Sequence, residues 1–189
     1  MPQTPLRTLN IYDRGSTYSI FDTDGKTHLY TIRFNRRSVP HMTVVYASDT
    51  KSVVGSATYH QKKKFGVSAS SNITLKFPSS GTVSLNKEGG FFSNDKRTMR
   101  SAILGQVYWS SRQVNNPWKA GRLETSFMKL SDMSGKTMVE YKDEGHSLKR
   151  MGVMNVYAEL NEEGLDEIVI SGMAMLSEEQ TGMRATRQW

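Results

Sequence analysis

Residues 168–176 read Ile-Val-Ile-Ser-Gly-Met-Ala-Met-Leu, apolar or small at every position, so no winding of this stretch produces a polar face. A helix of that kind is stable only where protein encloses it on all sides. It is too short to cross a bilayer, which takes about 18 apolar residues, and no other stretch of the chain reaches that length. Asn161 ahead of it is an N-cap candidate, and Glu162, Glu163, Asp166 and Glu167 concentrate acid where a helix N-terminus prefers it. Ile168-Val169-Ile170 alone would suit a core strand, but the acidic cap and the total length predict a helix over residues 163–178.

The rest of the chain has to build the enclosure, and it reads as strands. Residues 17–21 and 27–34 alternate with period two around Asp22-Thr23-Asp24-Gly25, and an Asp-Gly pair between alternating runs is a strong hairpin signal. Residues 42–47 and 52–60 form a second hairpin across Ser48-Asp49-Thr50-Lys51. Further strands are expected at 65–70, 72–77, 98–104, 106–110, 123–130, 137–142 and 153–160, with the loosest stretches at 78–81 and 87–90. Short strands at this spacing indicate an all-β sandwich or barrel. There is no internal repeat and no break in composition, so one domain is expected over residues 1–189, with 1–8 and 181–189 as tails.

Composition narrows the chemistry. The chain has no cysteine, which excludes disulfides, zinc–thiolate sites and thiol catalysis. His28, His41, His60 and His146 are far apart, with no HxH or HExxH spacing, so neither a metal nor a cofactor is expected. Asp22-Thr23-Asp24-Gly25 mimics the start of a calcium loop but lacks the later ligands, and a plain turn is the reading. There is no Gly-rich phosphate loop and no GxSxG, and nothing pairs a nucleophile with a base. The sequence therefore leans away from an enzyme. The Asn72-Ile73-Thr74 sequon reads as an ordinary strand tripeptide, because the first residues lack the basic-then-apolar order of a secretory signal. A cytoplasmic protein, peripheral to membranes if attached to them at all, is the expectation.

The net charge of +7 is unevenly placed: residues 1–100 hold 15 Lys and Arg against 6 Asp and Glu, whereas residues 101–189 hold 10 against 12. A basic half points to an anionic partner. Two surface signals stand out, Arg33-Phe34-Asn35-Arg36-Arg37 and Gln61-Lys62-Lys63-Lys64-Phe65, each placing cations beside an aromatic where a strand meets a loop. Arg33, Arg36, Arg37, Lys62, Lys63 and Lys64 are the candidate anion ligands, with Phe34 or Phe65 positioned to touch an acyl chain or a base. Lys96, Arg97 and Arg100 form a third, sparser cluster. Trp109 is expected in the core, and Trp118 and Trp189 are candidates for exposed contacts. The methionines gathered between Met128 and Met183 suit adaptable packing around the helix.

The order of these signals resembles the tubby C-terminal-like superfamily, which also takes in LURP-one-related proteins and phospholipid scramblases. It is most similar to short fungal tubby-like proteins. The matching segments are Tyr18-Ser19-Ile20-Phe21-Asp22-Thr23-Asp24-Gly25 with Leu29-Tyr30, then Val53-Val54-Gly55-Ser56-Ala57, Gln106-Val107-Tyr108-Trp109, and residues 165–176 as the terminal helix. The resemblance spans residues 9–180. It implies a mostly β fold, a closed antiparallel barrel of about twelve strands around a central, buried, hydrophobic C-terminal helix. Such a barrel accounts for a helix with no polar face and leaves no open sheet edge. The resemblance further implies a non-enzymatic reader of phosphoinositide-like anionic phospholipid. A palmitoylated cysteine run of the scramblase kind is absent. The same cations also suit nucleic-acid binding or an RNase-like phosphodiester cleavage, and a structural or protein-interaction module would make no use of them.

Overall fold

A computed structural model of the chain describes residues 3–35, 37–60, 62–64, 67–69, 72–88, 96–114, 124–143 and 150–185. The strands are β1 (Arg7–Asp13), β2 (Thr17–Phe21), β3 (His28–Phe34), β4 (Met42–Tyr46), β5 (Val53–Tyr59), β6 (Lys62–Lys64) and β7 (Val67–Ala69). They continue with β8 (Ile73–Phe77), β9 (Gly81–Glu88), β10 (Lys96–Ser101), β11 (Gly105–Val114), β12 (Glu124–Asp132), β13 (Thr137–Asp143) and β14 (Arg150–Val156). One helix, α1 (Glu162–Ala185), ends the chain.

Twelve of the strands form a closed antiparallel barrel in which each is hydrogen-bonded to its neighbours in sequence, and β1 closes the ring against β14. β6 and β7 stand apart as a small hairpin inserted between β5 and β8. The fold expected from the sequence is therefore the fold observed. Several expected boundaries differ, among them the strand expected at 153–160, which is observed as Arg150–Val156. Arg7 and Thr8 belong to β1 and pair with Val156 and Asn155, and α1 continues through residue 185, so neither tail is as long as expected. Residues 102–104 turn instead of extending β10, because the Ser101 hydroxyl accepts the backbone N–H groups of Ile103 and Leu104 at 2.9 Å each.

The barrel has its apolar side inward. Leu9, Ile11, Ile20, Ile32, Val44, Leu75, Leu85 and Trp109 alternate with outward residues and are fully shielded from solvent. Many of the outward positions are polar, among them Thr31, Arg33, Thr43, Ser56, Thr74, Lys76, Ser84 and Arg100. A barrel that crosses a membrane shows the reverse pattern, with an apolar band outside. The described outer face is thus built to meet water.

A ring of about eight strands has an interior that side chains alone fill, so twelve leave a wider lumen. That lumen takes a helix about 10 Å across. Ile168, Val169, Ile170, Met173, Ala174, Met175 and Leu176 occupy it and are all buried, in one continuous apolar cluster with the strands. The Asn161 side chain accepts the Gly164 N–H at 2.9 Å, capping the helix as its sequence suggests.

Candidate functional site

The direction of α1 defines two ends of the barrel. Near its start, Asp166 accepts hydrogen bonds from the phenols of Tyr30, early in β3, and Tyr46, at the end of β4, both at 2.7 Å. Glu167, 1 % exposed, accepts from the hydroxyls of Ser80 and Ser101. These contacts mark the proximal end. Midway along the lumen Trp109 donates its indole N–H to Ser171 Oγ at 3.0 Å. Farther along, Ser177 Oγ meets the hydroxyl of Tyr59, at the end of β5, at 2.9 Å, and Glu178 pairs with Arg97 at 2.5 Å. These mark the distal end.

Arg33 and Arg37 lie at the distal end, and the backbone of Lys62 to Lys64 follows the distal end of β5 in the chain. Arg33 is exposed on the outer side of β3, paired in register with Thr17 and Thr43. Arg37 is exposed in the connection from β3 to β4. Lys62, Lys63 and Lys64 make up β6, which pairs with β7 in the separate hairpin that lies between β5 and β8 in the chain. Arg36, Gln61 and Phe65 lie outside the described residues, and of Lys62 to Lys64 only the backbone is described. The two basic segments are joined through His41. Its N–H donates to the Ala57 carbonyl at 2.9 Å, and its Nδ1 accepts the Tyr59 N–H at 3.1 Å. The structure therefore brings both segments to neighbouring strands at one end.

Two expectations need correction. Phe34 does not reach outward for a ligand: it packs against the core and meets Tyr18 edge-on, with ring centroids 5.0 Å apart. The third basic cluster does not exist. Arg97 is two residues from Met99 and shares its inward side, where it is 1 % exposed and paired with Glu178. Lys96 faces out, bonded to Glu88 at 3.2 Å and seated 4.3 Å from the Tyr108 ring centre, while Arg100 sits on the outer face towards the proximal end.

The remaining polar motifs are occupied structurally. Asp24 accepts from the N–H groups of Lys26 and Thr27 and from the Thr27 hydroxyl, which holds its carboxyl down at about 2. Asp22 is bonded to Arg7, which lowers its pKa below the ordinary value. The Asp-Thr-Asp-Gly segment is thus a self-capped turn, with Gly25 at φ +65°. His28 stacks on Phe21, His41 clasps β5, and His60 bonds the Thr74 hydroxyl at 2.8 Å; His146 lies outside the described residues, as do Trp118 and Trp189. No cluster of three His, Cys, Asp or Glu able to hold a metal occurs among the described residues.

Sequence reasoning did not find the polar grip on the helix. Burial, followed by the bond to Asp166, pushes the Tyr30 phenol well above its ordinary pKa, and the same two causes push Tyr46 up to about 12. Burial also raises Asp166, against the lowering effect of the two phenols. Both tyrosines therefore stay protonated and act as fixed donors.

A surface depression of about 240 Å³ lies at the proximal end, lined by Leu6, Arg7, Val156, Glu159, Leu160 and Leu165. Its one cation, Arg7, is already bonded to Asp22 at 2.5 Å. The lumen, where other barrels hold ligands, is taken by α1. Compared with known protein families, curated proteins and solved structures, the chain shows no match.

Proposed function

We propose that this chain is a tubby-like, non-enzymatic module that binds anionic phospholipid through the basic residues of its distal end. The observation that carries the reading is the clasp of His41 on Ala57 and Tyr59, which sets the segment with Arg33 and Arg37 beside the hairpin containing Lys62, Lys63 and Lys64. Cations clustered at one end of a barrel sum their fields over an anionic surface. Several features support the reading. A lumen filled by the chain's own helix leaves the ends and the outer face for binding. A closed barrel around a buried helix is also the architecture that the tubby-like resemblance implied. A peripheral position on the cytoplasmic face of a membrane follows from the same chemistry, since anionic lipid is concentrated there.

Nucleic acid would meet the same cations. Base stacking would need exposed aromatics among them, however, and Phe34 is spent on Tyr18.

The test is co-sedimentation with vesicles of phosphatidylcholine, with and without phosphatidylserine or a phosphoinositide, run beside a gel-shift assay with single-stranded RNA and DNA. Binding to the anionic vesicles alone is expected. Lys62→Glu with Lys63→Glu should weaken it strongly, because each lysine near such a surface contributes about 1 kcal/mol. Adding Arg33→Glu should deepen the loss, since both segments share one end. High salt should mimic the reversals, with fields confined to about 3 Å at 1 M. Binding indifferent to both the reversals and salt would sink the proposal, as would binding to nucleic acid only.

A further inference from the structure

The two ends of the barrel differ in charge and in what they expose. At the proximal end the turns are capped by Asp22, Asp24, Asp49 and Asp132, and α1 begins with Glu162 and Glu163, partly offset by Arg7, Lys26, Lys51 and Lys136, with Arg100 on the outer face nearby. The distal end carries Arg14, Arg33, Arg37, Lys87, Lys96 and β6 against Asp13, Glu88 and Asp143. Four large apolar side chains are strongly exposed among the described residues: Leu6, Val39, Val53 and Met133. Leu6, Val53 and Met133 are proximal, in the acidic field. Val39, 66 % exposed, is distal, two residues from Arg37.

A single exposed valine is ordinarily unremarkable. Here its placement is enforced. β3 ends at Phe34 and β4 starts at Met42, so the connection projects beyond the rim. The Asn35 N–H donates to the His41 carbonyl at 2.8 Å and closes the base of the loop. The Asn35 side chain accepts the N–H groups of Arg37 and Ser38 and donates to Ser38 Oγ, tying down one arm, while His41 ties the other to β5. The loop is braced from both sides, with residues 37–40 all exposed at its tip.

Resting on the lipid-binding reading above, we infer that the barrel docks end-on, with Val39 inserted below the headgroups of an anionic bilayer while Arg33 and Arg37 hold the phosphates beside it. The axial charge asymmetry selects the end that approaches, because an anionic surface attracts the distal cations and repels the proximal acids. Bracing removes the ordering cost that a floppy loop would incur on insertion. An apolar tip flanked by cations satisfies both layers of the interface at once: hydrocarbon receives the valine and the phosphates receive the arginines.

The absence of cysteine makes the test clean. Val39→Cys and, separately, Met133→Cys are labelled with an environment-sensitive fluorophore and mixed with vesicles of phosphatidylcholine plus phosphatidylserine. A blue shift and brightening at position 39, with no change at position 133, is expected. Unlabelled Val39→Ser, which leaves the charge of the loop unchanged, should bind the same vesicles about tenfold or more weakly, the loss of one buried aliphatic side chain, with an unchanged unfolding temperature. Vesicle binding with no spectral change at position 39, and full affinity for Val39→Ser, would overturn insertion while leaving electrostatic binding in place. A spectral change at position 133 would overturn the end-on orientation. Failure of the unmodified protein to sediment with the vesicles would overturn the lipid-binding reading along with the inference.

Discussion

Helix and barrel approach one another closely at Gly55 on β5, and the energetics can be isolated by one pair of substitutions. A Cβ at Gly55 would lie 2.3 Å from Ile170 Cδ1 and 2.9 Å from the Lys76 carbonyl oxygen. The first contact is with the far end of a side chain, and the second is with backbone that cannot retreat. Gly55→Ala would by itself favour folding by about 0.4–1 kcal/mol, through lower entropy of the unfolded chain. Overpacking opposes it with about 1–3 kcal/mol, since Ile170 is fully buried and has nowhere to turn. The net expectation is a loss of about 1–2 kcal/mol. Ile170→Val removes Cδ1 and, alone, should cost about 0.5–1.5 kcal/mol for the lost methyl. In the double variant the 2.3 Å contact no longer exists and only the 2.9 Å contact remains. The two changes should therefore cost less together than their sum, by about 1 kcal/mol. Urea unfolding of the four proteins measures this, provided the slope with urea is common to all. Additivity within about 0.3 kcal/mol, or a stabilised Gly55→Ala, would show that the helix does not press on β5 as described.

Gly172→Leu should destabilise by about 1–3 kcal/mol in the same assay, because a Cβ there would already meet Met154 Cε at 2.8 Å and two Trp109 ring carbons at 3.1 Å. Trp109 cannot swing aside without giving up its bond to Ser171. Asp166 has its pKa raised by burial above the ordinary 3.8, so its protonated form favours the fold: that stability is present below 3.8 and is lost as pH rises through the raised value. Asp166→Asn cannot ionise, so its stability relative to the unaltered chain should improve as pH climbs above 3.8; a gap independent of pH would refute this. Asp22 acts in the opposite window. Its Arg7 bond holds it below 3.8, so its contribution persists above that value and disappears as pH falls through the lowered one, a loss that Asp22→Asn should abolish.

The parts of the fold legible in the sequence are those set by local chemistry. Asp24-Gly25 announced its turn because the carboxylate and the left-handed glycine act within four residues. Residues 168–176 announced an enclosed helix because they offer water nothing. β1 and β9 went unread because each presents only two strongly apolar inward positions, Leu9 with Ile11 and Val83 with Leu85, between polar outward neighbours. Arg97 was misassigned to the surface on charge alone, although its even spacing from Met99 placed it inside. Its partner Glu178 lies on an element 81 residues away, and no local pattern encodes that pairing. The same holds for Asp166 with Tyr30, separated by 136 residues. Of the candidate site, the cations were legible, while the loop bracing and the position of Val39 depend on His41 reaching across to β5.

Those long-range polar contacts answer a question that the apolar helix raises. Hydrophobic burial has no direction, so a cylinder greasy on every face could rotate or slide inside a greasy barrel at little cost. α1 is held against both motions at three levels along its axis. Asp166 and Glu167 engage β3, β4, the turn before β9 and the end of β10; Ser171 engages β11; Ser177 and Glu178 engage β5 and β10. Adjacent residues 166 and 167 project about 100° apart on a helix, so their partners on different strands fix rotation. Contacts at both ends of the lumen fix translation. A one-residue slip would strand Glu167 without its serine donors in a dry interior, where an uncompensated carboxylate is among the most costly groups to leave. The apolar residues supply the drive to enclose the helix, and these few polar ones specify the single position it takes. Because Tyr59 and Arg97 anchor the distal half of α1 to the strands that border the basic end, that position also sets the frame on which Arg33, Arg37 and the braced loop are presented.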